Sequence, residues 1–417
     1  MHTDTAPATP ARRARHGDAR ALAQDLVASR EDTLQTFAAF EAALPSLRVP
    51  RAEELNPPLW ELGHMGWFQS WWLARNPERA LGWRADPQAP RRAPARAQAD
   101  ALYDSRYVAH STRWSLPLPD ARTTRADIAA QLEATLNLLA AENDADAARL
   151  YFFRLTLLHE DMHHEAALYM AQALGVAIGD VRWQAPALPD PGPPLSLPAA
   201  CWTLGTQADA GFAFDNECGR QAVDLDAIQM DAQVLRWQDY LPFVEAGGYT
   251  QDLWWSAPGW QWLQAQGASA GAPVAAPRYL RHEGRAWRQW RHGQWRPLHL
   301  LEPACHLSWH EAQAWCRWAG RRLPTEAEWA WARAHAPQDF RWGDVWEWTA
   351  TPFSPFTGFT PHPYREYSAP WFDGRPVLRG ASFMTQPRMR HPDYRNFFEP
   401  GRNDIAAGFR TCVDTPA

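Results

Sequence analysis

The spacing of apolar residues divides this 417-residue chain into a helical first half and an irregular second half. Apolar residues recur at helical spacing over residues 18–44, which predicts an amphipathic helix. A second helix is predicted to begin at Pro57 and Pro58, because proline is favoured in the first helical turn. Thr124 opens a third helix that runs to about residue 141, and the apolar run at 150–174 predicts a fourth that ends at Gly175. Four helices of this length predict an up-and-down bundle.

The second half begins after a proline-rich stretch at residues 185–200, which predicts a linker. Beyond it, short apolar pieces alternate with turn residues. A strand is expected at 223–226, a short helix at 237–246, another helix from Trp309, and a third capped by Thr325. The predicted domain organisation is a disordered tail at 1–17, a helical bundle at 18–184, the linker, and a second domain at 201–417.

Composition and charge exclude several classes of function. The 41 basic and 47 acidic residues give a net charge of −6 without a basic stripe, so nucleic acid is not an expected partner. No apolar run has the length needed to span a membrane, and the N-terminus lacks the apolar segment of a secretory signal. Five scattered cysteines without a Cys-x-x-Cys pair favour reduced thiols and a cytoplasmic location.

The fourth helix carries the main chemical signal. His159 and His163 are four residues apart, so they stand on one helical face and can bind one metal ion. His164 points about 100° away. His64, on the aromatic face of the second helix, is the best third ligand in the chain. The alternatives are a solvated helix face or core histidines, but both neighbouring turns are apolar.

The string His159-Glu160-x-x-His163 also fits the zinc metallopeptidase pattern. The continuation does not: the glycine and third histidine of a metzincin are missing after His163, and no convincing glutamate ligand follows on a later helix. The pattern therefore favours a metal site of another kind.

Several segments of the second half resemble the formylglycine-generating-enzyme-like, or sulfatase-modifying factor, fold. They are FAFDNE at 212–217, RRLPTEAEW at 321–329, GDVWEW at 343–348, VLRGAS at 377–382 and GFR at 408–410. The resemblance implies a C-type-lectin-related α+β domain and a multidomain α and α+β chain. True formylglycine generators carry cysteines shortly after the Arg-Gly-x-Ser segment, where this chain reads FMTQ at 383–386. A cysteine-based oxidase is therefore not expected.

A DinB-type bundle with a His-plus-HxxxH set, fused to this fold, resembles the ergothioneine synthase family over about residues 20–412. The family implies a non-haem Fe(II) enzyme that joins a chalcogen to C2 of the hercynine imidazole with O₂, and it implies iron ligands at His64, His159 and His163. Within the family, the segment at 55–64 and the run at 158–163 look closest to the selenoneine synthases, which take a selenosugar. The loop at 113–119 holds a single arginine, which favours an uncharged donor over γ-glutamylcysteine.

Further site residues follow from the same resemblance. Tyr364 and Tyr367 are the candidate catalytic proton donors. The candidate substrate-binding residues are Asn396, Phe397, Phe398, Arg402 and Trp114. Independently of the resemblance, Glu160, Asp161 and Glu165 flank the histidines, and any of them could accept the distal N–H of a metal-bound imidazole. The sequence does not decide which one does so.

Two other functions stay open at this point. One is a DinB-type thiol transferase with zinc or nickel, and the other is a non-catalytic, lectin-like binding module. The complete histidine set argues against the second.

Overall fold

The computed structural model describes residues 9–142, 146–207 and 211–414. These residues form ten α-helices, six of them in the first half of the chain. They are α1 (Pro10–His16), α2 (Ala19–Ala43), α3 (Pro58–Trp72), α4 (Ala99–Tyr103), α5 (Ala121–Ala140), α6 (Ala147–Leu174), α7 (Trp237–Glu245), α8 (Ala257–Ala270), α9 (Trp309–Trp318) and α10 (Glu326–His335).

The four predicted long helices are present as α2, α3, α5 and α6. Helices α2, α3 and α5 each pack against α6. Helix α5 also packs against α2 and α3. Local chemistry sets the ends: Asp18 and Asp120 cap α2 and α5 through their side chains, and Gly175 ends α6 at φ +73°. The resemblance of this bundle to the DinB type stays a prediction.

The described residues of the second half combine four small sheets with short helices. Its strands are β1 (Leu195–Leu197), β2 (Ala200–Leu204), β3 (Gln221–Leu225), β4 (Ile228–Met230), β5 (Leu280–Glu283), β6 (Ala286–Arg291), β7 (Gln294–Pro297), β8 (Trp346–Pro352), β9 (Pro376–Gly380), β10 (Asn396–Phe397), β11 (Ala407–Gly408) and β12 (Cys412–Asp414). The sheet orders are β1-β4-β12, β10-β9-β8-β11, β2-β3 and β5-β6-β7. This mixture of helices and sheets agrees with the α+β class expected for the second half.

Part of the predicted linker belongs to the second domain. Leu195, Ser196 and Leu197 form β1, which pairs antiparallel with β4. The two leucines are buried and the serine is exposed, so this short alternation supplies one face of a small core. The irregular connection therefore ends at residue 194, six residues earlier than the sequence predicts.

The N-terminal tail differs from its prediction of disorder. Residues 1–8 lie outside the described residues, but Pro10–His16 is helix α1, capped by the side chain of Thr9. The Arg15 guanidinium donates to both carboxylate oxygens of Glu217 at 2.8 and 2.7 Å. Both side chains are almost fully buried. The tail prediction is wrong for this helix, because the partner that orders it lies about two hundred residues away.

Two further sequence features can be compared with the structure: the apolar character of the helices and the state of the cysteines. None of the described helices combines the length and the apolar character that crossing a membrane requires. All five cysteines are free thiols.

Replacing Arg15 by methionine is expected to lower the free energy of unfolding by about 3–5 kcal/mol, because it leaves Glu217 charged and buried without its partner. Arg20→Met is the matched control, since Arg20 is exposed on α2. Urea unfolding of both variants measures the difference. Equal stability of the two variants would mean that α1 is not docked.

Candidate metal centre

Helices α3 and α6 bring three histidines together inside the bundle. His64 lies on α3, while His159 and His163 lie one turn apart on α6. The Nε2 atoms of His159 and His163 are 3.2 Å apart, and one ring nitrogen of each histidine lies within 4.8 Å of the others. Two nitrogens held at about 2.1 Å from one ion, at a right angle, are about 3 Å apart. The structure thus gathers the three predicted ligands in a spacing that fits a metal ion.

Two of the three imidazoles are oriented by partners on their outer nitrogen. His64 donates through Nδ1 to the carbonyl of Tyr103 at 2.8 Å, and His163 Nδ1 lies 2.5 Å from Oε2 of Glu61. Because these oxygens only accept, both rings carry their proton on Nδ1 and leave the lone pair of Nε2 for a metal.

Glu61 was not among the sequence candidates, although it lies three residues before His64 on the same helical face. The prediction that Glu160, Asp161 or Glu165 would orient a ligand is wrong. These acids contact other groups, because successive residues of a helix are turned by about 100° from one another. The three-residue spacing from Glu61 to His64 was the sequence feature that could have identified Glu61 as an outer partner of a histidine ligand.

Burial and mutual proximity favour the neutral form of His64 and His159. Burial, reinforced by His163, lowers the pKa of His64 to about 3, and burial with the two neighbouring histidines lowers the pKa of His159 well below its ordinary value. Burial acts to raise the pKa of Glu61, but His163, together with His64 and Arg113, outweighs it and the pKa is lowered. At neutral pH His64 and His159 therefore offer their lone pairs to a metal without a prior loss of protons, beside the Glu61 carboxylate.

Aromatic rings wall the three histidines. Trp60 stacks on His64 at 4.7 Å between ring centroids, and Phe68 stacks on His159 at 3.5 Å with an interplanar angle of 3°. His64 and His159 are each only 3% exposed, whereas the His163 side chain is 22% exposed. The centre is therefore closed on the Trp60 and Phe68 sides and accessible near His163.

The two candidate tyrosines have different places. Tyr364 meets the Phe68 ring edge-on at 5.0 Å and the His159 ring at 6.1 Å, so it lies beside the histidines. Tyr367 is one ring further away, 5.9 Å from Tyr364, and its hydroxyl donates to that of Tyr394 at 3.0 Å. Tyr364 is thus the nearer of the two to the candidate metal centre.

One of the candidate substrate-binding residues at 396–398, Phe397, lies beside this tyrosine pair. Asn396 and Phe397 form β10 against β9, and the Oδ1 atom of Asn396 accepts from the backbone N–H of Phe397. The Phe397 ring lies 6.2 Å from Tyr367. The amide NH₂ group of Asn396 is therefore the part of the side chain that can donate a hydrogen bond to an acceptor atom of a substrate.

Arg402 and Trp114 are held by other contacts. Arg402 donates from Nε and Nη2 to the two oxygens of Asp404 at 2.6 and 2.7 Å and lies over the Phe398 ring. The Trp114 indole N–H donates to the carbonyl of Val49 at 2.9 Å. The residue before Trp114, Arg113, stacks on Trp60 with 3.8 Å between the guanidinium carbon and the ring. Arg113 thus reaches the ring that covers His64.

The opposite face of α6 is fixed by the second domain. Asp161 accepts from Nε and Nη2 of Arg388 at 3.0 and 2.8 Å. Oε1 of Glu165 accepts from Trp346 Nε1 at 2.8 Å, Ser382 Oγ at 2.7 Å and Thr385 Oγ1 at 2.8 Å. Asp161 and Glu165 therefore join the two halves of the chain, whereas Glu160 pairs with Arg30 of α2 inside the bundle.

Replacing His64, His159 or His163 by alanine is expected to abolish Fe(II) binding, because each change removes one of three nitrogens. Glu61→Gln is expected to weaken binding about 10- to 100-fold, because the amide cannot supply the charge that strengthens His163 as a ligand. His164→Ala should retain the metal, since His164 contacts Thr36 and Gln386 instead. Anaerobic iron titration measures all five variants, and an iron-free His164→Ala protein would refute the assignment of faces.

Comparison with known proteins identifies relatives of the whole chain and a known domain in its second half. The sequence matches the family model of the sulfatase-modifying factor enzyme 1-like domain over residues 186–344 and 339–415. It is 32% identical to hercynine oxygenase of Mycobacterium tuberculosis, over 86% of this chain and 91% of that protein. The corresponding figures for hercynine oxygenase of Mycolicibacterium smegmatis are 29%, 94% and 98%. Formylglycine-generating enzyme of Bos taurus is 33% identical, over 37% of this chain and 44% of that protein. The chain therefore belongs to the hercynine oxygenase family, and its C-terminal half belongs to the sulfatase-modifying factor enzyme 1-like domains.

Proposed function

We propose that this protein is a non-haem Fe(II)- and O₂-dependent enzyme that forms a bond between a chalcogen and C2 of the hercynine imidazole. The observation that carries the proposal is the convergence of His64, His159 and His163 beside Tyr364, in a chain similar to hercynine oxygenases over most of its length. Fe(II) bound by the three imidazoles would supply the activation of O₂. The contributions of the protein are orientation, exclusion of water and proton supply.

Tyr364 is the proposed proton donor in this reaction. Its ring lies against Phe68 and His159, and burial, with the charge of Glu366, raises the pKa of its hydroxyl. The phenol therefore remains protonated at neutral pH and can donate. Tyr367 is the second candidate, but its hydroxyl already donates to Tyr394.

The proposed hercynine contacts combine an amide with aromatic rings. The NH₂ group of Asn396 would donate to the substrate carboxylate, and the rings of Phe397 and Phe398 would face the trimethylammonium group. Arg402 and Trp114 complete the proposed set. Because the Arg402 fork is engaged by Asp404, its contribution would be to hold Phe398 in place.

We propose a selenosugar, 1-selenoglucose, as the chalcogen donor, with γ-glutamylcysteine or cysteine as the alternative. Two features support the neutral donor. Arg113 is the single arginine of the 113–119 loop, and its Nη1 donates to the side chain of Asn56 at 2.9 Å. The two positions directly after Asn396 are the aromatic residues Phe397 and Phe398, so neither supplies an acid that could pair with a substrate ammonium.

The purified enzyme is expected to require Fe(II) and to consume O₂ only when hercynine and a donor are both present. The reason is that the proposed bond needs the imidazole of one substrate and the chalcogen of the other. An oxygen electrode with Fe(II)- and Zn(II)-loaded protein measures this dependence. The His163→Ala variant is the control for oxygen uptake by free iron. Full turnover of the zinc form without O₂ would instead indicate a DinB-type thiol transferase.

A selenosugar is expected to exceed γ-glutamylcysteine in kcat/KM by on the order of a hundredfold, because each substrate carboxylate left without a partner costs about 1–3 kcal/mol. Mass spectrometry of products from mixtures of the two donors gives the ratio. Leu116→Arg should narrow the ratio if the 113–119 loop faces the donor, and Leu116→Met is its matched control. A preference for the dipeptide would assign the enzyme to the sulfur-using alternative.

A further inference from the structure

Helix α6 presents two functional faces that lie opposite one another. At about 100° per residue, Asp161 lies about 180° from the midpoint between His159 and His163, and Glu165 lies within about 40° of Asp161. The ligand face contacts α3 through Glu61 and Phe68, whereas the opposite face meets residues 382–388 of the second domain.

The contacts of residues 382–388 with this face are buried and charged. The Asp161 side chain is 0% exposed and that of Arg388 is 9% exposed. Two hydroxyl groups of the same segment, on Ser382 and Thr385, donate to a single oxygen of Glu165. Gln386 extends the row of contacts, since its amide group reaches Asp32 at 2.9 Å and His164 at 3.3 Å.

We propose that residues 382–388 position the metal ligands by holding the opposite face of α6, with Thr385 and Arg388 as the positioning residues. The inference rests on the proposed metal centre and deepens it, because it assigns part of the ligand geometry to the second domain. Neither residue is among the three candidate ligands. Both act through the orientation of α6.

The geometry of a helix explains why contacts on one face control atoms on the other. An imidazole nitrogen stands roughly 7 Å from the helix axis, so a rotation of about 10° moves it by about 1 Å. Metal–ligand bonds tolerate deviations of only about 0.2 Å. Two anchors one turn apart, at Asp161 and Glu165, restrain rotation of α6 and also its movement along its axis.

The simpler alternative is that these contacts only hold the two domains together. The chain offers a matched control for that role in the ion pair of Arg15 and Glu217. This pair is equally buried, at 3% and 0% exposure of the side chains, and it also joins the two halves. It acts through α1, which packs against α6. A hydrogen bond at this contact runs from Arg154, five residues before His159, to the carbonyl of Gly17.

The test measures Fe(II) affinity by anaerobic competition with a chromophoric chelator, and ligand geometry by the visible spectrum of the Co(II) protein. Arg388→Met and Thr385→Val are expected to weaken Fe(II) binding about 10- to 100-fold, as loss of an outer contact does in other metal sites, and to alter the Co(II) spectrum. Thr385→Ser keeps the hydroxyl and should restore both. Arg15→Met should lower the melting temperature while binding Fe(II) like the wild type.

Each outcome decides the question. Wild-type affinity and an unchanged Co(II) spectrum in folded Thr385→Val and Arg388→Met would overturn the positioning role. An equal loss of affinity in Arg15→Met would assign the effect to domain docking and would overturn it as well. If Arg388→Met does not fold, Thr385→Val decides alone, since it removes one hydroxyl without leaving an unpaired charge. A wild-type protein that binds no Fe(II) would contradict the proposed function itself.

Discussion

The buried acids on the back of α6 impose the strictest physical constraint on this molecule. Asp161 and Glu165 are 1% and 7% exposed, and a carboxylate buried without partners would be strongly destabilising. The bundle itself supplies a hydroxyl to each, from Ser29 and from Tyr169. The second domain supplies the remaining donors, including the Arg388 guanidinium that pairs with Asp161. The bundle alone therefore does not supply all the donors that these two buried carboxylates need. The stability of the helical half thus depends on docking of the second domain.

The helices and the candidate ligands could be predicted because both are encoded locally. The four-residue spacing of His159 and His163 fixes a shared face in any helix, and the apolar turns around them identify that face as buried. The ends of α6 follow from Asp146, whose side chain caps the first turn, and from Gly175 beyond the last. His64 could be added because α3 has the same kind of pattern, with Trp60 and Phe68 one turn away on either side.

The features that sequence did not reveal all depend on pairs of residues that are distant along the chain. Glu61 contacts His163 across 102 positions, and Arg15 meets Glu217 across 202. No periodicity links such partners, so α1 had the appearance of a polar tail and the outer partner of His163 was sought among its neighbours. The sequence of the 383–386 segment indicates only that the cysteines of formylglycine generators are missing. Its contact with α6 depends on Glu165, which lies in the other half of the chain.

The three candidate ligands are chemically unequal, and this inequality bears on where substrates would bind. His163 is supported by a carboxylate and His64 by a neutral carbonyl, so His163 is the stronger donor to a metal. None of the ligands is itself an anion, so a bound Fe(II) ion keeps its full charge and can neutralise an anionic chalcogen without help from the protein. Arg113, the cation of the neighbouring loop, donates instead to Asn56 and stacks on Trp60. The charge needed to bind the chalcogen would therefore come from the ion, which leaves the surrounding residues to select the remainder of the donor by its shape and hydrogen bonds.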